Sequence, residues 1–183
     1  MKKKPFRKKR GIILKENFPN RIHIIGSVGS GKTTLAKKLS CRYHIPYYEL
    51  DNVVWKRHKS GDRKRSEEER DEYLEKIVSS DRWIIEGVHY QNWVYDSIHN
   101  ADVIIFLDTP YWKRICRITR RFLLQKLGVE KANYKPTFKI FVNMFRWNAS
   151  FEQNGKPKIQ HLQLHGKRVL VLKDNTEIDR YYT

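Results

Sequence analysis

The octapeptide Gly26-Ser27-Val28-Gly29-Ser30-Gly31-Lys32-Thr33 constrains this chain more than any other segment. It fits G-x-x-x-x-G-K-[ST] at every position, the P-loop or Walker A pattern. The β-branched run RIHII precedes it, and Lys32 to Tyr43 follows with Leu35, Ala36 and Leu39 at helical spacing. Strand, glycine loop and helix are the setting the motif needs. Glycines let the backbone wrap a diphosphate with no Cβ in the way. Successive N–H groups then point inward, and the positive end of the helix adds its field. Lys32 is expected to reach the β- and γ-phosphates, the Thr33 hydroxyl to face Mg²⁺, and Thr34 to lie near the α-phosphate. ATP with Mg²⁺ is the implied ligand pair.

Short apolar runs recur between helical patterns: YYEL at 47–50, WII at 83–85, VIIFL at 103–107 and VLVL at 169–172. They lack polar alternation, as expected of strands covered on both faces. Ser66 and Glu69 form a capping box before Tyr73, Leu74, Ile77 and Val78. Pro110 opens a helix that runs to about Leu127 and stops at Gly128, and an aromatic-rich helix covers roughly Thr137 to Gln153. A closing helix is expected over Thr176 to Tyr182, and the basic stretch from Trp55 to Arg65 reads as irregular, with a turn at Gly61-Asp62. Alternating strands and helices imply an α/β fold of three layers, a P-loop NTPase with a five-stranded parallel sheet between helices. At 183 residues one domain is expected over 21–183, behind a basic arm at 1–20.

The arm carries seven Lys or Arg within its first ten residues and contributes to a net charge of +18. It reads as a disordered tail capable of non-specific nucleic acid contact. Residues 11–20 hold only three consecutive apolar side chains, so no signal-peptide core is expected, and no stretch approaches a membrane span. Cys41 and Cys116 make no disulfide framework, and a cytoplasmic protein with reduced thiols is expected.

Ligands of open α/β sheets gather at the carboxyl ends of the strands. Acids stand there at Asp51, Glu86 and Asp108. Asp108, in Leu-Asp-Thr-Pro, reads as a helix cap. Glu86 precedes Gly87, where nothing needs a cap, and is assigned to Mg²⁺ or its water. Asp51 either orients or deprotonates an acceptor hydroxyl or merely starts a turn. Trp55, His89 and Tyr90 complete the candidate acceptor site. Between Tyr111 and Lys126 lie six Lys or Arg and no acid, with Arg114, Arg117 and Arg121 on one face. That face is either solvated or the source of the cations that phosphoryl transfer requires, and catalysis is the favoured reading.

The P-loop, Glu86-Gly87 in WIIEG, Ala101-Asp102 leading into VIIFLD, Pro110 and the arginine-rich helix together resemble the adenylate-kinase-like P-loop kinases. Within that group, LDNVVW, WIIEGVHY and FLDTPYWKRICRITRR look most like the bacterial DNA topology modulation (FlaR-type) family. The resemblance covers about residues 21–182. It implies a nucleoside monophosphate kinase-like core with a helical lid and lid arginines around the transferring group. It also implies Glu86 where such kinases hold a magnesium-bound water by an aspartate, Lys173-Asp174-Asn175 beside the adenine, and Arg120 or Arg121 over the base or the phosphates. Where those kinases grip an acceptor phosphate by an arginine beyond the acid, this chain has Val88-His89-Tyr90-Gln91. A hydroxyl-bearing metabolite, or an acceptor held by Arg57, Arg63 or Arg65, is therefore favoured over a monophosphate. The expected activity is γ-phosphoryl transfer from ATP to a small molecule or nucleotide; the alternative is a nucleic-acid-associated ATPase or regulator. No helix-turn-helix, zinc or single-strand-binding signature accompanies the charge.

Overall fold

The computed structural model describes residues 18–58, 61–89, 91–130, 136–159 and 167–182. Its sheet has five parallel strands, β1 (Arg21–Gly26), β2 (Tyr47–Glu49), β5 (Trp83–Gly87), β6 (Val103–Leu107) and β7 (Val169–Leu172), in the order β2-β5-β1-β6-β7. Every pair is parallel, so helices must carry each crossover and cover both faces. These are α1 (Lys32–Tyr43), α2 (Leu50–Val54), α3 (Glu67–Val78), α4 (Tyr95–His99), α5 (Tyr111–Lys126) and α6 (Phe138–Ser150). Strands β5 and β6 are buried at every residue, which is why they read as unbroken apolar runs.

The core divides along the sheet. Ile22, Ile24, Ile84 and Ile105 pack with Leu35 and Leu39 of α1 on one face. Ile25, Ile85 and Phe106 pack with Leu74 and Ile77 of α3 on the other. In the middle of β1 the titratable side chain of His23 is fully buried, and burial pushes its imidazole down to about 3. The capping box at Ser66 forms as expected, with Ser66 and Glu69 exchanging both bonds.

Several elements depart from the sequence reading. Leu50 belongs to α2 and not to β2, because strand pairing with β5 ends at Glu49. The stretch after α2 forms a two-stranded antiparallel hairpin, β3 (Trp55–Lys56) with β4 (Arg63–Lys64). The helix expected through Gln153 ends at Ser150 and continues as a π turn over Phe151–Gly155. The closing helix is a 3₁₀ segment, Asn175–Arg180, capped by Asp174, whose side chain accepts from the Thr176 N–H. Most of the basic arm lies outside the described residues. Phe18 stacks on Tyr43 with ring centroids 3.4 Å apart, and Asp102 accepts from the N–H groups of Asn20 and Arg21 at 3.0 and 2.8 Å.

Candidate active site at the carboxyl ends of the strands

The phosphate loop leaves β1 at Gly26 and enters α1 at Lys32. Gly29 has φ of +76°, and a Cβ there would stand 2.9 Å from the Arg114 carbonyl oxygen, so only glycine fits. The loop is held from several sides. Thr109 Oγ1 donates to Ser30 O at 3.0 Å, and Arg117 Nη1 donates to the same carbonyl at 2.9 Å. Ser27 Oγ, fully buried, donates to Asn148 Oδ1 of α6 at 2.8 Å. Val28 is half-buried, and Thr34 is exposed on the first turn of α1.

Gly87 governs the neighbouring strand end. A Cβ on it would come within 2.7 Å of Leu50, so its absence lets α2 lie against β5. That contact brings Glu86 and Asp51 toward the loop. Glu86 is 3% exposed; its Oε1 accepts from Thr33 Oγ1 at 2.5 Å, and Lys32 Nζ lies 3.9 Å from Oε2. Burial pushes the Glu86 carboxyl up, opposed by the charge of Lys32 and the Thr33 hydroxyl. A carboxylate and a hydroxyl side by side are hard oxygen donors, the type that suits Mg²⁺.

Asp51, by contrast, is open to solvent. His89 Nε2 lies 3.4 Å from its Oδ1, and the His89 ring tilts against Trp93 at 5.1 Å. The hydrogen bond with His89 holds the Asp51 carboxyl below its usual range, helped by the charges of Lys32 and Arg57. Trp55, 39% exposed, follows one turn later and donates its backbone N–H to Asp51 O. Tyr90, assigned to the same site by sequence, lies outside the described residues.

The arginines of α5 diverge. Arg117 spans the Ser30 carbonyl and Asp174 Oδ2, the latter at 2.9 Å. Lys113 Nζ reaches the same Asp174 oxygen at 2.7 Å. Burial pushes the Asp174 carboxyl up, but Lys113 and Thr176 outweigh it and hold the group well below its ordinary value. The Asn175 side chain stands over Gly31. Arg114 is 2% exposed, paired with Glu152 and stacked on Tyr111. Arg121 donates to Met144 Sδ at 3.4 Å, and Arg120 is exposed on the outer side of α5.

Asp108 does not cap α5. Pro110 occupies the N-cap position with no side-chain bond, and Asp108 accepts instead from Lys156 at 2.7 Å and Lys173 at 2.5 Å. Its distant partners compete better than the adjacent helix end because each is a full charge. Asn148, Glu152, Lys156 and Thr109 all touch this region, and sequence reasoning passes over all four. Only Thr109, inside the FLDTP segment, carries a nearby signal.

No protein-family model matches the chain. The uncharacterized protein YqaC of Bacillus subtilis (strain 168) is 28% identical over 145 residues, covering 79% of each chain. A shikimate kinase from Bacteroides thetaiotaomicron superposes with a TM-score of 0.51 at 14% identity, over 86% of this chain and 88% of that one. A shikimate kinase from Acinetobacter baumannii in complex with shikimate gives 0.52 at 16% identity, over 84% and 82%. The chain therefore has the α/β P-loop fold of these kinases, with the five-stranded parallel sheet.

Proposed function

We propose that the protein is an ATP-dependent phosphotransferase that moves the γ-phosphoryl group of ATP to a hydroxyl of a small-molecule acceptor. The observation that carries this reading is the convergence of Lys32, Thr33 and Glu86 within 3.9 Å, beside the open Asp51–His89 pair. One cluster holds phosphates; the other offers a hydrogen-bonded carboxylate to an incoming hydroxyl. The fold shared with shikimate kinases, one of them in complex with shikimate, supports the reading.

In this mechanism the loop from Gly26 to Gly31 and Lys32 cradle the phosphates, and Thr33 with Glu86 would hold Mg²⁺. When bound, that ion neutralises charge shared between the β- and γ-phosphates. Arg117, already directed at the loop, is the cation placed to stabilise charge as the phosphoryl group transfers. Arg114 serves by holding the lid helix, and Arg121 by packing it against α6. Asp174, with Asn175, would border the adenine and Arg120 its outer side. Asp51 would orient the acceptor hydroxyl, with Trp55, His89 and Tyr90 lining the mouth.

The arginines near that mouth are engaged already. Arg57 binds Asn52 and Asp62, and Arg63 clasps Glu69 at 2.6 and 2.9 Å. Arg65 donates to the carbonyls of Asn52 and Val53 while lying over Tyr73, and Arg70 pairs with Asp71 over Trp93. An acceptor phosphate would compete with Asp62, Glu69 and Asp71 for these guanidinium groups, whereas a hydroxyl would not. This favours a hydroxylated acceptor over a nucleoside monophosphate. The narrower kinship with the topology modulation family rests on the sequence motifs alone. A nucleic-acid-associated role would draw on the basic arm and on α5, but Arg114 and Arg117 turn inward. Among the described residues no helix is long and apolar enough to cross a membrane. The direct test is incubation with ATP and a panel of hydroxylated metabolites and nucleotides, followed by detection of a phosphorylated product that Lys32→Ala fails to make.

A further inference from the structure

Asn148, Glu152 and Lys156 recur at intervals of four along the end of α6, the π turn and the residue that follows it. Each side chain meets a different element around the phosphate loop. Asn148 accepts from Ser27 of the loop itself, Glu152 from Arg114 of α5, and Lys156 donates to Asp108 at the end of β6. Lys156 also lies 3.7 Å from Glu152, which joins the Arg114 and Asp108 contacts into one line. Behind it, Asp108 takes Lys173 and donates its N–H to Leu172 O at 2.8 Å, extending the line to β7. The backbone explains the alignment. In an α-helix a four-residue step overshoots a full turn by about 40°, so eight residues would drift by about 80°. The wider π turn advances less per residue and takes much of that drift back, keeping the side chains on one front.

These contacts are costly as simple stabilisers. Asn148 is 0% exposed and its Nδ2 has no hydrogen-bond partner among the described residues; the same is true of Arg114 Nε. A buried polar network left partly unsatisfied contributes less to stability than apolar packing of the same volume. It does fix direction and distance, and its partners are the groups whose direction matters. Ser27 is the first variable residue of the loop, and the Arg114 carbonyl oxygen abuts Gly29.

We infer that Asn148, Glu152 and Lys156 form a positioning stripe through which the α6 segment sets the nucleotide affinity of the phosphate loop. This rests on the proposed nucleotide site. None of the three would touch the nucleotide; they act through Ser27, Arg114 and Asp108.

The test is titration of the full chain with Mg-ADP, followed calorimetrically, for the parent and for Asn148→Leu, Ser27→Ala, the double variant and Lys156→Met. Asn148→Leu keeps the branching and heavy-atom count but cannot accept from Ser27, and the ADP Kd is expected to rise about tenfold. The double variant should be no worse than Asn148→Leu alone, since both remove one bond. An unchanged Kd in Asn148→Leu, or strictly additive losses in the double variant, would overturn the stripe while leaving the nucleotide site standing. Should Asn148→Leu fail to fold, Lys156→Met reads the outer end of the same line. There the ADP Kd should rise about threefold, and an unchanged value overturns the proposal. A parent protein that does not bind Mg-ADP would remove the nucleotide site and the stripe with it.

Discussion

The phosphate loop and the proposed acceptor mouth share one end of the same sheet and are built in opposite ways. At the loop, Ser27 and Ser30 are fully buried, the Ser30 carbonyl takes two donors, and the Glu86 side chain is 4% exposed. At the mouth, the Asp51 side chain is 68% exposed and its partner His89 lies at 3.4 Å. The hairpin beyond has only two paired residues per strand. A phosphate site profits from groups that need no reorganisation when charge arrives. An acceptor site that must admit and release a metabolite profits from looser walls that tighten on binding. On the proposed function, the nucleotide half is thus preformed and the acceptor half pliable.

The sharpest way to break that contrast is at Lys32. Lys32→Ala should lower ATP turnover by about a thousandfold and abolish stabilisation by Mg-ATP, with the unliganded fold intact. Thermal unfolding with and without Mg-ATP checks it, and equal stabilisation of parent and variant would remove Lys32 from the phosphate site. Next, Arg117→Ala should reduce kcat by about a hundredfold with a smaller change in ATP KM, because charge spreads over the phosphoryl oxygens mainly in the transition state. Arg121→Ala, whose guanidinium meets Met144, should cost less than Arg117→Ala. The reverse order in steady-state kinetics would reassign the transition-state cation.

Much of the preformed half is legible in the sequence, and little of the pliable half. β5 and β6 are covered on both faces, so their apolar runs leave no other assignment. The phosphate loop is a contiguous motif whose residue types follow from phosphate chemistry. Leu50 reads as part of β2 because an apolar residue fits a strand end and a helix start equally well. The hairpin at Trp55 and Arg63 is too short for any period to show. Asp108 misleads because its lysines lie 48 and 65 residues away, while the helix it is expected to cap begins close by. The common face of Arg114, Arg117 and Arg121 is readable from spacing, but not that Glu152, Asp174 and Met144 divide them. The Ser27–Asn148 contact spans 121 residues and leaves no local trace.

The two histidines sharpen the comparison further. His23, under the preformed half, has its folded value depressed from 6.5 to about 3, so the unfolded chain binds the extra proton. Its contribution is fully present above pH 6.5 and is lost as pH falls from there toward 3. That amounts to about 1.4 kcal/mol per pH unit, or roughly 2 kcal/mol by pH 5. Urea unfolding of the parent and His23→Leu across that range should show a flatter dependence in the variant, and parallel curves would exclude His23 as the source. At the mouth, His89→Gln should raise acceptor KM by about tenfold and leave ATP KM nearly unchanged, since His89 lines the proposed acceptor site and steadies Asp51. An effect confined to ATP KM would move His89 to the nucleotide half.

The central claim is transfer to an acceptor hydroxyl, and phosphorus NMR of the reaction tests it most directly. ATP would be incubated with hydroxylated metabolites, with nucleoside monophosphates or with DNA, using the full chain and a chain lacking Met1 to Arg10. We expect ADP and a new phosphate monoester to accumulate together with a hydroxylated metabolite, independent of DNA and of the arm. ATP consumed only in the presence of DNA, with no monoester and no activity once the arm is removed, would contradict it.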